Sequence, residues 1–243
     1  MNNNIYIANL KMNGNIQLID KYINLFKNYN GNELIILCPP FTLLDYSSNK
    51  IKTQKSILTL GAQNIHHQTE GPYTGEISAN LIKSYSKYSI IGHSERRLNG
   101  ETNEIITKKI ISCLKNNIKP ILCVGEYNYL NNANETFKII EDQLTPLKSI
   151  ISDSKLSLLI AYEPVWAIGN NNSCDPDRAG EIANLIKDFV ASNTNNEINI
   201  LYGGSVDDKN HHGYLKQKNI NGLLVGTASL NPSKFYNIVT NNR

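Results

Sequence analysis

Short apolar runs alternate along this chain with longer segments of helical spacing. The runs cover positions 5–10, 33–38, 58–62, 88–92, 120–124, 157–162, 198–202 and 222–225. They are rich in β-branched residues and nearly continuous in apolar character, which predicts parallel strands covered on both faces. Between them apolar side chains recur three or four positions apart. Ile16, Ile19, Ile23 and Phe26 form one such stripe; Ile105, Ile106, Lys109, Ile110 and Leu114 form a second; Ile182, Leu185, Ile186 and Phe189 form a third. Asp175-Pro176-Asp177 opens the third with a capping acid, a proline at the first helical position and an early negative charge. Eight strand–helix units in a chain of 243 residues favour an α/β fold closed into a (βα)8 barrel. A doubly wound open sheet is the alternative that periodicity leaves open. No Pro-rich or Gly/Ser-rich linker divides the chain, so one barrel domain over 1–243 is expected.

Composition narrows this picture mainly by exclusion. Hydrophobic residues make up 40% and charged residues 19%, enough to build a core and too apolar for general disorder. A net charge of +3, with Lys and Arg scattered along the chain, argues for neither nucleic acid nor an anionic membrane as partner. Asn is abundant everywhere, yet the apolar periodicity survives between the Asn positions. Cys38, Cys113, Cys123 and Cys174 make no Cys-x-x-Cys pair and no zinc-like grouping with His, so they read as free thiols in a reducing compartment. No metal or cofactor is expected. The first ten residues lack a basic segment followed by an apolar one, and no run approaches the roughly 18 apolar residues of a membrane helix. A cytoplasmic, soluble protein is the expectation.

Polar residues fall where a barrel enzyme would need them. Catalytic groups of (βα)8 enzymes sit beyond the carboxyl ends of the strands. Those ends here carry Asn9 and Lys11, Gln63 and Asn64, His93 and Glu95, Cys123 and Glu126, and then Glu163. Any one of these is most simply a strand emerging into a polar loop; their arrival at successive strand ends points to an active site. Gly203-Gly204-Ser205 after the seventh run and Gly226-Thr227 after the eighth let backbone N–H groups approach an anion, and the loops after strands seven and eight often hold phosphate. A helix starting near Ala228 would aim its positive end at that anion.

These residues resemble the signatures of one family. Asn9-Leu10-Lys11-Met12-Asn13-Gly14, the segment from Gly92 to Arg97 (Gly-His-Ser-Glu-Arg-Arg), and the segment from Ala161 to Gly169 (Ala-Tyr-Glu-Pro-Val-Trp-Ala-Ile-Gly) are similar, in order, to those of triosephosphate isomerase. Tyr202-Gly203-Gly204-Ser205-Val206 and Leu224-Val225-Gly226 continue the match, which covers essentially the whole chain. The resemblance implies a TIM barrel that interconverts D-glyceraldehyde 3-phosphate and dihydroxyacetone phosphate through an enediol or enediolate, without a cofactor. It implies that Glu163 is the base and His93 the electrophile that shuttles protons between the oxygens, a pairing for which this family is itself the usual illustration. Lys11 and Asn9 would line the substrate site, and Gly169, Ser205, Gly226 and Thr227 would hold the phosphate. The segment from Pro164 to Asn172 would be a lid, a motion this family also exemplifies.

The remaining candidates have plainer readings. Glu95 is expected to support Lys11, Glu126 to be structural, and Cys123 to pack in the core, since the chemistry needs no covalent intermediate. The pairs His66-His67 and His211-His212 are expected to point their rings apart and to bind no metal. The loop that begins at Gln68 and ends at Glu76 resembles the family's protruding interface loop and implies a homodimer; its bland reading is an exposed turn. Three departures stand out. Leu10 replaces the usual Trp, Thr227 replaces a second Gly, and Asn170-Asn171-Asn172 replaces Thr-Gly-Lys at the far end of the lid. A Cβ at 227 narrows the backbone choices, whereas Asn tolerates the left-handed region and lets closure persist with altered kinetics. Two other readings compete with the enzyme: a different phosphate-binding barrel isomerase or lyase, and a binding protein that has lost turnover.

Overall fold

The computed structural model describes residues 4–151, 158–169, 173–194 and 198–241. Eight parallel strands close into a barrel in chain order: β1 Ile5–Asn9, β2 Leu34–Cys38, β3 Thr59–Ala62, β4 Tyr88–Ile91, β5 Lys119–Val124, β6 Leu159–Tyr162, β7 Asn199–Tyr202 and β8 Gly222–Val225. The α-helices are α1 Ile16–Phe26, α2 Leu44–Gln54, α3 Ala79–Ile82, α4 Ser94–Leu98, α5 Asn103–Lys115, α6 Ala133–Leu144, α7 Lys148–Ile151, α8 Pro176–Ala191, α9 His211–Leu215 and α10 Pro232–Thr240. Most strands begin or end one residue inside the runs read from the sequence, because the first and last apolar residue of a run lies beyond the ladder but still inside the core.

The continuous apolar runs are explained by two burial environments reached with period two. Ile5, Ile7, Ile36, Cys38, Ile90, Ile121, Cys123, Leu159, Ala161, Leu201 and Leu224 point inward and fill the barrel. Their neighbours Tyr6, Ala8, Ile35, Leu37, Leu122, Val124, Ile160, Tyr162, Ile200, Tyr202 and Val225 point outward under the helices. The helices answer with their apolar stripes. Asn15 caps α1 by accepting from Leu18 N–H at 2.9 Å, and the helix buries Ile19, Tyr22, Ile23 and Phe26. Phe235 of α10 meets Tyr22 and Phe26 at ring-centroid separations of 5.7 and 6.2 Å. Each such side chain contributes roughly 1.5–3 kcal/mol of burial. The cap read at Asp175 is present: its carboxylate accepts from Asp177 N–H at 2.9 Å and Arg178 N–H at 3.2 Å at the start of α8.

Closure excludes the open sheet. β1 pairs with both β2 and β8, with Ile5 opposite Leu34 on one side and Gly222 on the other. A Cβ on Gly222 would stand 1.9 Å from the Ile5 carbonyl oxygen, so only glycine lets the last strand lie against the first at this register.

Two expectations about side chains meet different outcomes. All four cysteines are buried free thiols, Cys38 and Cys123 inside the barrel and Cys113 and Cys174 under the helices. The paired histidines depart from expectation, because their rings adjoin: centroids lie 4.4 Å apart for His66 and His67 and 4.0 Å apart for His211 and His212. The first pair belongs to a loop, where helical geometry does not apply; the second occupies the first two positions of the short α9, and its rings adjoin there all the same. No cluster of three or more metal-ligating side chains occurs among the described residues. No described helix is long and apolar enough to cross a membrane.

Candidate active site

The carboxyl ends of the strands converge on a cavity of about 710 Å³. Asn9, Lys11, His93, Glu163, Gly169, Ser205, Gly226 and Thr227 all line it, which brings together residues from β1, β4, β6, β7 and β8 that are far apart in sequence. Gln63, Asn64, Glu95, Cys123 and Glu126 do not line it; Glu95 touches the site through Lys11.

Lys11 is held in place by its own backbone. Its φ of +52° lies in the left-handed region, which costs on the order of 1–3 kcal/mol for a side chain of this kind. The strain is opposed at both ends of the residue. Lys11 N–H donates to Asn9 Oδ1 at 3.0 Å, and the Lys11 carbonyl accepts from Gln63 Nε2 at 2.8 Å, an amide that also reaches the Cys38 carbonyl at 2.9 Å. The side chain then crosses the cavity floor beside Gly226, where a Cβ would come within 3.3 Å of Lys11 Cε, and ends 2.7 Å from Glu95 Oε1. Partial burial pushes the Glu95 carboxyl up, but the hydrogen bond and charge of Lys11 outweigh it and hold the group below its ordinary range. Glu95 is therefore an anion that positions an ammonium.

His93 caps α4, and this fixes its chemistry. Its Nδ1 accepts from Glu95 N–H at 3.2 Å. A nitrogen that accepts carries no proton, which leaves Nε2 as the N–H of the ring. Nε2 points at Glu163 Oε1, 3.2 Å away. That approach does not have hydrogen-bond geometry, and Oε1 is buried without a partner. The other oxygen, Oε2, accepts from Ser94 N–H at 2.9 Å. Glu163 is thus a buried carboxylate with one satisfied and one waiting oxygen, 3.2 Å from a donor. Gly203 leaves room for it, since a Cβ there would press to 2.9 Å from Glu163 Cγ.

Cys123 is buried beside Glu163; burial and that neighbouring charge push its thiol well above the ordinary range, which leaves it no nucleophile. Arg97 ties two strand ends together, donating to the Gly92 carbonyl at 2.8 Å and the Cys123 carbonyl at 3.0 Å. Glu126 anchors the segment after Glu163: Trp166 Nε1 donates to its Oε1 at 2.7 Å, Tyr162 OH at 3.0 Å, and Val165 N–H reaches its carbonyl at 2.9 Å. Burial raises the Glu126 carboxyl above the ordinary range.

The match to known proteins covers this whole arrangement. The family model for triosephosphate isomerase matches residues 4–242. The chain is 43% identical over 240 residues to a protein named triosephosphate isomerase of Aquifex aeolicus, covering 96% of both chains. It is 42% identical over 228 residues to the one of Dictyoglomus thermophilum, covering 91% of this chain and 90% of the other. A third, of Buchnera aphidicola subsp. Cinara cedri, is 39% identical over 246 residues, covering 97% of this chain and 96% of the other. The chain belongs to the triosephosphate isomerase family. Against the pattern of triosephosphate isomerase, two departures can be placed. Leu10 is wholly buried in the core. Thr227 opens a 3-10 turn, Thr227–Leu230, one residue earlier than the helix start expected near Ala228. Its φ is not in the left-handed region, so its Cβ is accommodated. The third departure, Asn170 to Asn172, lies outside the described residues.

Sequence reasoning passed over Lys234 and Asn210, which also line the cavity. Both come from segments that return to the mouth after strand ends: Asn210 holds the loop after β7 by donating to the Ser205 carbonyl at 3.1 Å, and Lys234 lies in the first turn of α10. The position of Pro232 as a helix start was a usable signal for the second.

Proposed function

We propose that the family reaction, interconversion of D-glyceraldehyde 3-phosphate and dihydroxyacetone phosphate, runs in this chain with Glu163 as base, His93 as electrophile and Lys11 as the cation of the site. Isomerisation of these two compounds is the activity of the family to which the chain belongs. The observation that carries the residue assignment is the opposition of the Glu163 carboxylate and the His93 Nε2–H at 3.2 Å inside the one cavity. Glu163 leaves the Ser94 N–H and takes a proton from the substrate carbon. His93 Nε2–H polarises the adjacent carbonyl, the enediolate oxygen gains that proton, and the ring recovers one by taking the hydroxyl proton from the other oxygen. Glu163 then delivers its proton to the neighbouring carbon. A positioned base contributes on the order of 10²–10⁴ in rate and a preorganised donor on the order of 10²–10³.

The backbone of Gly169, Ser205, Gly226 and Thr227 is read as the phosphate cradle, and Asn9 as a wall of the substrate site. Lys234 adds a second positive charge at that end, and it has no ion-pair partner among the described residues. Lys234→Ala is expected to raise KM about 2–5-fold at low salt with kcat nearly unchanged, an effect that shrinks as salt screens it. An equal KM at low and high salt would remove Lys234 from substrate attraction.

The whole chain is read as one barrel domain, cytoplasmic, needing no cofactor, and active as a homodimer through the loop that begins at Gln68 and ends at Glu76. Exposed apolar side chains beside the site support the dimer: Met12 is 95% exposed next to Lys11, and Leu98 is 67% exposed at the end of α4. A native mass of one chain at assay concentration, with full activity, would end the dimer reading. The assignment as a whole is tested by steady-state turnover of D-glyceraldehyde 3-phosphate coupled to a dehydrogenase that consumes dihydroxyacetone phosphate. Fast turnover blocked by a phosphorylated enediolate analogue supports it. A folded protein with no turnover would favour a binding protein instead.

A further inference from the structure

Trp166 is the one tryptophan of the chain, in the 3-10 turn Val165–Ala167 directly after Glu163 and Pro164. Its indole N–H is taken by Glu126, as described above. Its ring is taken by a different residue. Tyr129 meets it T-shaped, with centroids 4.9 Å apart and planes at 80°, the arrangement in which aromatic quadrupoles attract. Tyr129 is not a core residue; it is 56% exposed, on the segment between β5 and α6. The ground on which it stands is fixed, however. Arg178 of α8 donates from Nη2 both to the Leu130 carbonyl at 3.0 Å and to Thr136 Oγ1 of α6 at 2.9 Å, tying the residue next to Tyr129 to two helices.

We propose that Tyr129 is a positioning residue for the lid: it clasps Trp166 in the conformation seen here, and the strength of that contact sets how readily the turn Val165–Ala167, at the start of the lid, lets it close. This rests on the reading of 164–172 as a lid, of which 170–172 lie outside the described residues. Val165 to Ala167 cannot turn over the cavity without separating the Trp166 ring from a partner that stays behind on Leu130. A contact made in one conformation and absent from the other biases the equilibrium by its own strength. An aromatic pair of this geometry is worth roughly a 2–10-fold shift in that equilibrium. A ligand that requires closure then binds more weakly by the same factor while the clasp is present.

Two variants separate the clasp from generic packing, and the exposure of Tyr129 leaves the fold intact in both. Tyr129→Leu removes the ring; Tyr129→Phe keeps the ring and removes only the hydroxyl. Binding of 2-phosphoglycolate, whose carboxylate imitates the enediolate, is measured alongside KM, kcat and the emission of Trp166. With Tyr129→Leu, the dissociation constant and KM are expected to fall together about 2–10-fold, kcat does not rise, and the unliganded emission moves toward that of the liganded parent. With Tyr129→Phe, all four quantities stay at parental values. Tyr129→Leu indistinguishable from the parent in affinity and emission would overturn the proposal, as would Tyr129→Phe matching Tyr129→Leu. Failure of the underlying reading looks different: the parent itself would show no turnover, or no emission change on saturation with 2-phosphoglycolate.

Discussion

Replacing Glu163 by Gln removes most of the turnover, on the order of 10²–10⁴-fold in kcat, while the barrel stays folded. The two side chains have the same shape, so the substituted amide fills the same buried space and its carbonyl oxygen still accepts from Ser94 N–H, the contact seen at 2.9 Å. Basicity is what disappears: an amide cannot take a proton from carbon. The amide NH2 then occupies the place of Oε1, facing the His93 Nε2–H as donor against donor, and a small rearrangement of the ring accompanies the loss. Stability changes little, because the native carboxylate leaves Oε1 buried and unpartnered. The measurement is kcat in the coupled assay beside thermal unfolding of the same preparation. A Glu163→Gln protein with native-like kcat would remove Glu163 from the role of base.

The second large effect is expected at His93, and the choice of substitute decides what it teaches. His93→Asn keeps an oxygen able to accept from Glu95 N–H, as Nδ1 does at 3.2 Å, and Asn is among the best helix caps. Its shorter side chain cannot carry a donor to the position of Nε2. The helix α4 is therefore preserved and only the electrophile is lost, which lowers kcat on the order of 10²–10³-fold. KM changes far less, because the donor acts on charge that develops during the reaction. A drop confined to KM would mean that His93 holds the ground-state substrate and does not polarise its carbonyl.

How much of this could be read from the chain alone follows from where each signal lives. Strands were legible because both faces are buried, so eight apolar runs survive even among abundant Asn. Closure was legible from the count of eight units and from the family resemblance, but not its seam: Gly222 lies against Ile5, a pairing across nearly the full length of the chain that no local period encodes. Site residues were legible where they follow a strand directly, as Lys11, His93 and Glu163 do. Lys234 and Tyr129 were not, since each reaches its place from a loop or helix folded back toward the barrel mouth. Which ring nitrogen of His93 accepts was also out of reach, because it depends on a cap contact two residues away. Thr227 shows the opposite limit: a residue rule about Cβ raised a concern that the actual φ removes.

The burial of the four thiols makes this chain carry its own clock for opening. Burial pushes the Cys113 and Cys174 thiols up to about 12, so neither is a reactive thiolate in the native state. A thiol-specific label can react only with molecules that have opened. Cys113 and Cys174 lie between helices and sheet, whereas Cys38 and Cys123 lie within the ring of strands. Labelling of the first pair ahead of the second reports helices lifting from an intact ring; simultaneous labelling reports a molecule that comes apart as a single cooperative unit.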